Sequence, residues 1–161
     1  MLLIKVYLRI RCFILKVLFK LLFWKRIHFG TRFNFRRYFL VNIGPRGKLT
    51  IGNNVFFNNF CSVTCLKQIV IGNNCLFGEG VKIYDHNHFF DSHGVQGHNY
   101  RCDDIYIGNN CWICSNVVIL KGTHIGDNCI IGAGCIVSGN ISPNTILKNN
   151  WDFKMEKLKN D

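Results

Sequence analysis

Acidic residues are missing from the first 48 positions, which hold twelve Lys and Arg residues and no Asp or Glu. The rest of the chain carries eight basic and nine acidic residues and is therefore nearly neutral. A nucleic-acid-binding protein normally carries its basic patch on the folded module, so this division argues against nucleic acid as a partner. It indicates a basic leader, residues 1–40, joined to a neutral body.

Long uncharged hydrophobic runs are missing as well. Charges interrupt the leader every few positions, which excludes both a membrane-spanning helix and the apolar centre of a signal peptide. At 100° per residue, a helix would gather four basic residues within about 60° of its circumference. These residues are Lys5, Arg9, Lys16 and Lys20. The pattern predicts an amphipathic helical segment that lies on an anionic membrane surface; the alternative is that it packs on the body or on a partner subunit.

Aromatic residues in the leader fit the membrane alternative, because aromatic rings favour the membrane–water interface. They are Trp24, Phe29, Phe33, Phe35, Tyr38 and Phe39.

The whole chain has only two prolines and an odd number of cysteines, nine, so a secreted disulfide framework is disfavoured. Free thiols predict a reducing compartment, which places the protein in the cytoplasm, with possible residence at the inner face of the cell membrane.

The body is built on a period of six residues. The string Ile-Gly-Asn-Asn begins at Ile51, Ile71 and Ile107, and Ile-Gly-Asp-Asn begins at Ile125. Aliphatic or aromatic markers recur every six positions, and a small or β-branched residue (Cys, Val or Thr) lies four positions after nine of the twelve markers. The markers are Ile51, Phe57, Val63, Ile71, Phe77, Ile83, Ile107, Ile113, Ile119, Ile125, Ile131 and Val137.

A period of six predicts an all-β solenoid in which three units complete one turn and the markers stack in a continuous core. The pattern resembles the bacterial hexapeptide-repeat acyltransferases, and this resemblance implies a left-handed parallel β-helix. We assign this domain to residues 41–147 and a tail with a short C-terminal helix to residues 148–161. Five cysteines occupy the small-residue position, which favours a structural role for them over a metal site; they are Cys61, Cys75, Cys111, Cys129 and Cys135.

The period fails once, where an insertion at residues 84–106 separates Ile83 from Ile107. It holds four of the six histidines, and a long loop on a rigid scaffold is a common place for function. Together with the repeats that follow, the stretch Ile83-Tyr-Asp-His-Asn-His88 resembles the galactoside, maltose and polysaccharide O-acetyltransferases. Register with that family places His88 at its catalytic histidine, with His86 as the second candidate. A near-neutral imidazole can remove the proton of a sugar hydroxyl that attacks a thioester.

The resemblance also implies roles for other residues. Asn58 corresponds to an acceptor-binding residue, although a structural Asn at a corner is an equal alternative, and Trp112 corresponds to a residue beside both acetyl-CoA and the acceptor. The backbone N–H of Ser115 corresponds to the oxyanion donor, and Ala133 and Ser138 correspond to positions that contact the pantetheine arm.

The sequence departs from the family at three places. Leu66 replaces an acidic acceptor-binding residue, which indicates an acceptor other than a simple galactoside. Gly139 replaces a lysine near the coenzyme phosphates, and the usual tail motif is absent. Lysines of the tail can supply the phosphate contacts or can simply lie in solvent; they are Lys148, Lys154, Lys157 and Lys159.

These features predict an acetyl-CoA-dependent O-acetyltransferase that modifies a sugar hydroxyl, or a lipid-linked glycan, in cell-surface polysaccharide or glycolipid biosynthesis. The resemblance implies a homotrimer with sites between subunits, and no metal is expected. Two alternatives remain open from the residues. One is a zinc-dependent, carbonic-anhydrase-like β-helix enzyme, which the histidine-rich insertion allows, and the other is a non-catalytic β-helix scaffold.

Overall fold

The computed structural model describes residues 2–150, which form a β-solenoid of about six turns preceded by an N-terminal helix. The helix, α1, covers Leu2–Phe23 and is followed by a short 3₁₀ helix at Trp24–Arg26. Within residues 2–150, no helix has the length and apolar character needed to cross a bilayer. Residues 148–150 are not helical, and the rest of the tail in which a C-terminal helix is predicted, residues 151–161, lies outside the described residues.

Three parallel sheets form the faces of the solenoid, and each turn contributes a strand to the successive faces. The first face consists of β1 (Ile27–Phe29), β4 (Lys48–Ile51), β7 (Gln68–Ile71), β12 (Ile105–Ile107), β15 (His124–Ile125) and β18 (Asn140–Ile141). The second face consists of β2 (Asn34–Phe35), β5 (Phe56–Phe57), β8 (Leu76–Phe77), β13 (Trp112–Ile113), β16 (Ile130–Ile131) and β19 (Ile146–Leu147). The third face consists of β3 (Leu40–Ile43), β6 (Ser62–Cys65), β9 (Lys82–Tyr84), β14 (Val118–Ile119) and β17 (Ile136–Val137). This confirms the predicted solenoid, while its left-handed winding stays a prediction.

The core consists of the residues that the six-residue period marks. All twelve markers are buried. So are the nine Cys, Val and Thr residues that lie four positions after a marker, namely Val55, Cys61, Cys75, Val81, Cys111, Val117, Thr123, Cys129 and Cys135. In the second face, for example, Phe57 stacks on Phe77 with ring centroids 4.1 Å apart, and Ile113 lies beside Phe77 and Ile131 in register. Each turn therefore buries its apolar side chains mainly against the turns directly above and below it.

The Ile-Gly-Asn-Asn strings form one corner of the solenoid, and each residue has a separate task there. The first Asn accepts a backbone N–H from the preceding turn, as Asn73 does from Asn53 at 2.7 Å and Asn109 does from Asn73 at 2.9 Å. The second Asn adopts positive φ, and its amide binds the equivalent residue of the next turn, as Asn110 does with Asn128 at 3.1 Å. Asn tolerates this conformation better than most residues, which explains the sequence pattern.

The glycine in each string allows neighbouring turns to approach closely, and this leads to a prediction. A Cβ added to Gly72 would lie 2.7 Å from the carbonyl oxygen of Gly108. We expect Gly72→Ala to lower the free energy of unfolding by about 1–3 kcal/mol, because the backbone of the next turn must shift. Urea denaturation measures this. Gly97→Ala is the matched control, since a Cβ there meets no atom within 4 Å; equal effects of the two substitutions would contradict the close approach.

The solenoid begins at Ile27, so residues 27–40 form its first turn rather than part of the leader. Four of the aromatic residues considered above for a membrane interface are therefore buried in this turn: Phe29, Phe33, Phe35 and Phe39. Trp24 and Tyr38 are exposed. The apolar period continues upstream through Phe29, Phe35 and Val41, which pair with or lie beside the markers of the next turn.

Helix α1 lies against this first turn. Cys12 is buried, and Leu15, Phe19 and Phe23 pack on the core. The ring of Phe19 lies 6.0 Å from that of Phe35, and Lys16 donates a hydrogen bond to the carbonyl of Phe33 at 3.0 Å. The predicted helix therefore packs one of its faces on the body.

The cysteines of the solenoid are free and almost all are buried. Burial raises the pKa of Cys61, and it raises that of Cys65 to about 12, so these thiols remain protonated and unreactive at neutral pH. Cys111 is buried in the core, whereas Cys114 lies half-buried at the following corner.

Candidate active site

The predicted insertion forms a β-hairpin that leaves the solenoid at the corner between the third and first faces. Its strands are β10 (His86–Asp91) and β11 (Gly94–Cys102), which pair in antiparallel register. His86 lies opposite Cys102 and His88 lies opposite Tyr100. Since side chains two residues apart share one side of a strand, the two candidate histidines lie on the same side of β10.

Asp85 fixes the point where the hairpin leaves the solenoid. Its side chain is fully buried and accepts hydrogen bonds from the backbone N–H groups of Leu66 and Lys67 at 2.7–3.0 Å. Its Oδ1 also lies 3.2 Å from Nδ1 of His86. A proton on Nδ1 would be donated to this carboxyl group, leaving Nε2 of His86 as an acceptor. Asp85 was not among the site residues predicted from the sequence, although its position directly before His86 was a visible signal.

Aromatic rings flank both candidate histidines. The ring of Tyr100 lies 5.4 Å from that of His86 and 4.9 Å from that of His88. The side chain of His86 is only 16% exposed, whereas His88 is exposed. His88 therefore presents its ring to solvent, while His86 lies at the base of the hairpin between Tyr84 and Tyr100.

Ion pairs hold the returning strand at the base of the hairpin. Lys67 lies 3.1 Å from Asp104, and Lys121 bonds Asp103, whose pKa is held below its usual value by that lysine. The backbone N–H of Asp103 also donates to the carbonyl of Asp85 at 2.9 Å. These contacts attach both ends of the hairpin to the rigid solenoid and so fix the position of the histidines.

The other two histidines of the hairpin lie at its turn and on β11. His93 is exposed near the tip and lies 3.6 Å from Asp91, and His98 lines a shallow cavity of about 340 Å³ together with Arg46 and Tyr100. Within residues 2–150, no group of three or more His, Cys, Asp or Glu side chains is arranged to hold a metal ion.

Trp112 lies on the second face, in an outward row of apolar side chains that runs along the solenoid. In register, this row contains Phe56, Leu76, Trp112, Ile130 and Ile146. The indole is 49% exposed. The row thus offers an apolar surface beside the corner that follows the second face.

Three of the predicted binding residues occupy that same corner. Asn58 follows β5, and its Oδ1 already accepts from Arg36 at 3.3 Å and from the N–H of Asn59 at 2.9 Å. Ser115 follows β13, and its carbonyl accepts the N–H of Gly134 at 2.9 Å. Ala133 follows β16 and lines a groove of about 360 Å³ with Ile146 and Lys148 among its neighbours.

The predicted site residues therefore divide into two groups on one chain. Asn58, Trp112, Ser115 and Ala133 lie on the second face and its following corner, as described above. Ser138 follows β17 at the corner between the third and first faces, which is also the corner that carries the histidine hairpin. The third face separates the two groups.

A three-faced solenoid of hexapeptide repeats that carries a histidine hairpin at one corner defines a hexapeptide-repeat transferase. Residues 104–139 match the family model described as Bacterial transferase hexapeptide (six repeats). WbbJ of Escherichia coli K12, a proposed O-acetyl transferase of lipopolysaccharide biosynthesis, is 30% identical over 130 residues, which cover 75% of this chain and 66% of WbbJ. The galactoside O-acetyltransferase of E. coli K12 is 36% identical over 96 residues, which cover 60% of this chain and 47% of that enzyme.

A solved structure agrees with these relatives. The hexapeptide-repeat acetyltransferase of Vibrio cholerae, crystallised with acetyl coenzyme A, superimposes with a TM-score of 0.65 at 26% identity, covering 74% of this chain and 64% of that one. The chain belongs to the hexapeptide-repeat acetyltransferase family. It spans about half to two thirds of the length of the curated relatives it matches.

Proposed function

We propose that this chain transfers an acetyl group from acetyl-CoA to a sugar hydroxyl. The observation that carries the proposal is the pair of histidines on a hairpin whose ends are attached to a solenoid of this family. The acetyl-CoA complex of the V. cholerae relative supports the choice of donor. The names of WbbJ and of the galactoside enzyme support O-acetyl transfer as the reaction.

In the proposed mechanism His88 is the general base. Its imidazole accepts the proton of the acceptor hydroxyl as the oxygen attacks the thioester carbonyl, and the imidazolium then protonates the departing CoA thiolate. The backbone N–H of Ser115 donates to the oxyanion that forms between these steps. His86 is the alternative base, because its contact with Asp85 would orient Nε2 for the same task.

The division of site residues over two corners supports a homotrimer. On one chain the hairpin and the Trp112 surface lie on opposite sides of the third face. Packing of neighbouring solenoids would place the hairpin of one copy near the second face of the next. The apolar row of that face offers the surface to be covered, since large exposed apolar patches commonly mark interfaces or binding grooves.

We propose a glycan acceptor of cell-surface polysaccharide or glycolipid biosynthesis, used in the cytoplasm at the inner face of the cell membrane. The name of WbbJ supports the pathway class. Leu66 lies at the turn that Asp85 binds, next to the hairpin, so an apolar side chain stands where the family has an acidic one. This difference supports an acceptor other than a simple galactoside.

Labelled acetyl-CoA tests the function. The purified full chain is incubated with free sugars and with membrane glycolipid fractions, and acetylated product and released CoA thiol are measured together. The proposal expects equal amounts of both with at least one sugar acceptor, and light scattering is expected to give three times the chain mass of 18.6 kDa. CoA release that depends on added zinc, or acetyl transfer to none of the acceptors, would overturn it.

The indole of Trp112 yields a prediction on the donor side. Trp112→Ala is expected to lower kcat/KM for acetyl-CoA about tenfold, since an aromatic contact is worth up to about 1.5 kcal/mol. Steady-state kinetics at varied acetyl-CoA measures this. Tyr7→Ala is the control, because Tyr7 is an exposed aromatic residue on α1 and does not lie on the second face. Equal losses of kcat/KM in both variants would contradict a role for Trp112 in binding acetyl-CoA.

A further inference from the structure

Helix α1 has two apolar faces, and only one of them is covered by the solenoid. Phe19 and Phe23 pack on the first turn, as described above. Ile10, Val17 and Leu21 lie within about 40° of one another on the helical circumference and about 180° from Phe19. Their side chains are 42–65% exposed.

This outward face runs along the helix from Val6 to Leu22. It consists of Val6, Tyr7, Ile10, Phe13, Ile14, Val17, Leu18, Leu21 and Leu22, followed by Trp24, all of them exposed. Soluble surfaces carry scattered apolar side chains, but a contiguous strip of this kind marks a surface that another molecule or a lipid phase covers. We call it the outward face of α1.

Basic residues line one border of the outward face. Arg9 and Lys20 lie next to Phe13 on the helical circumference and are exposed. Lys16, which the sequence places in the same stripe, is half-buried and bonded to the carbonyl of Phe33, so it contributes less. The side chain of Lys5 lies outside the described residues. Arg32 and Arg37 of the first turn are also exposed and add to the charge at this end of the molecule.

The charge pattern decides between possible occupants of this face. Because the first 48 residues contain no acidic residue, pairing of two copies through the outward face would bring basic borders together with no opposite charge to offset them. Anionic lipid headgroups supply that charge, and the acyl chains below them accept the apolar side chains. No helix within residues 2–150 can cross the bilayer, so a parallel orientation remains.

We propose that the outward face of α1 docks on an anionic lipid surface and lies in the plane of its headgroups. Phe19 and Phe23 attach the helix to the solenoid, and Arg9 and Lys20 contact the lipid phosphates. The helix thereby holds the solenoid at the membrane. This concerns the place of the protein and does not depend on the proposed reaction.

Vesicle sedimentation with the full chain tests the proposal, using phosphatidylglycerol–phosphatidylcholine vesicles and pure phosphatidylcholine vesicles. We expect strong binding to the anionic vesicles, weaker binding to the neutral ones, and partial release by high salt, which screens the headgroup attraction. The double substitution Arg9→Gln and Lys20→Gln should weaken binding to the anionic vesicles roughly 25-fold at low salt, which is about fivefold for each charge removed. Equal binding to both vesicle types would overturn the electrostatic part, and no binding would overturn the proposal.

Phe13→Ser with Leu21→Ser tests the apolar contact. Both side chains are 65% exposed, so the change should leave the circular dichroism spectrum intact while lowering vesicle binding at least tenfold. Phe90→Ser is the matched control, because Phe90 is 63% exposed but lies on the hairpin. If the full chain fails to bind vesicles and instead forms assemblies that are absent from the Phe13→Ser, Leu21→Ser variant, the outward face of α1 binds another copy of the chain. In that case the lipid proposal is wrong. Vesicle binding without acetyl transfer would support the lipid proposal and contradict only the proposed function.

Discussion

Replacement of His88 by alanine is expected to lower kcat for acetyl transfer by about 10²–10⁴-fold, because the reaction then lacks its general base. His88 is exposed on the hairpin, so its removal leaves no cavity and the fold should persist. Kinetics with labelled acetyl-CoA measures the loss. Calorimetric binding of acetyl-CoA and the mass in light scattering should remain within about twofold of the parent chain.

His86→Ala is the companion variant, because His86 lies two residues away and contacts Asp85. If His88 is the base, loss of His86 should weaken activity less than loss of His88. Full activity in His88→Ala together with a large loss in His86→Ala would move the base to His86 and give Asp85 the role of orienting it. Activity that survives both substitutions would exclude a histidine base on this hairpin.

Replacement of Ile131 by aspartate is expected to prevent folding. Ile131 is fully buried on the second face between Ile113 and Leu147. The change removes a buried aliphatic side chain, worth about 2–5 kcal/mol, and buries a carboxylate with no partner, which costs more. The total is comparable with the whole stability of an ordinary domain, about 5–15 kcal/mol. Soluble yield and circular dichroism measure the outcome.

Two further variants keep this prediction measurable if Ile131→Asp yields no protein. Ile131→Val should fold and lose about 0.5–1.5 kcal/mol in urea denaturation. Asn128→Asp should cost less than about 1 kcal/mol, because Asn128 is exposed at a corner and Asp tolerates its positive φ. An Ile131→Asp chain as stable as the Asn128→Asp chain would contradict the six-residue register.

The register of the solenoid could be predicted because its contacts are periodic. Ile125 and Ile131 occupy equivalent places in successive units, and each is buried by residues of adjacent turns. A pattern repeated along the chain therefore specifies the core without knowledge of distant contacts. The Asn residues of the corners follow the same rule, since Asn110 and Asn128 repeat both the positive φ and the side-chain bond.

The first turn was harder to predict because a different partner covers it. Phe33 and Phe39 stand four positions after Phe29 and Phe35, where later turns place a small residue, and both are buried. The ring of Phe19 from α1 lies 6.5 Å from that of Phe39. The helix replaces a preceding turn at this end, so large rings fit where a β-solenoid neighbour would exclude them. Basic residues between these rings hid the period in the sequence.

The sequence by itself determined the solenoid and the place of its histidine-rich insertion, because both depend on spacing along the chain. The choice of His88 and His86 within the insertion rests on the resemblance to the O-acetyltransferases. Tertiary structure alone decided three other matters: the burial of Asp85 beside His86, the division of the predicted site residues between two corners, and the face of α1 that remains uncovered. These depend on residues far apart in sequence, such as Asp85 with Leu66 and Phe19 with Phe35, whose approach follows from the winding of the chain. Residue spacing predicts the contacts that repeat from turn to turn, whereas contacts between different elements, such as a helix and a strand, form only when the chain folds.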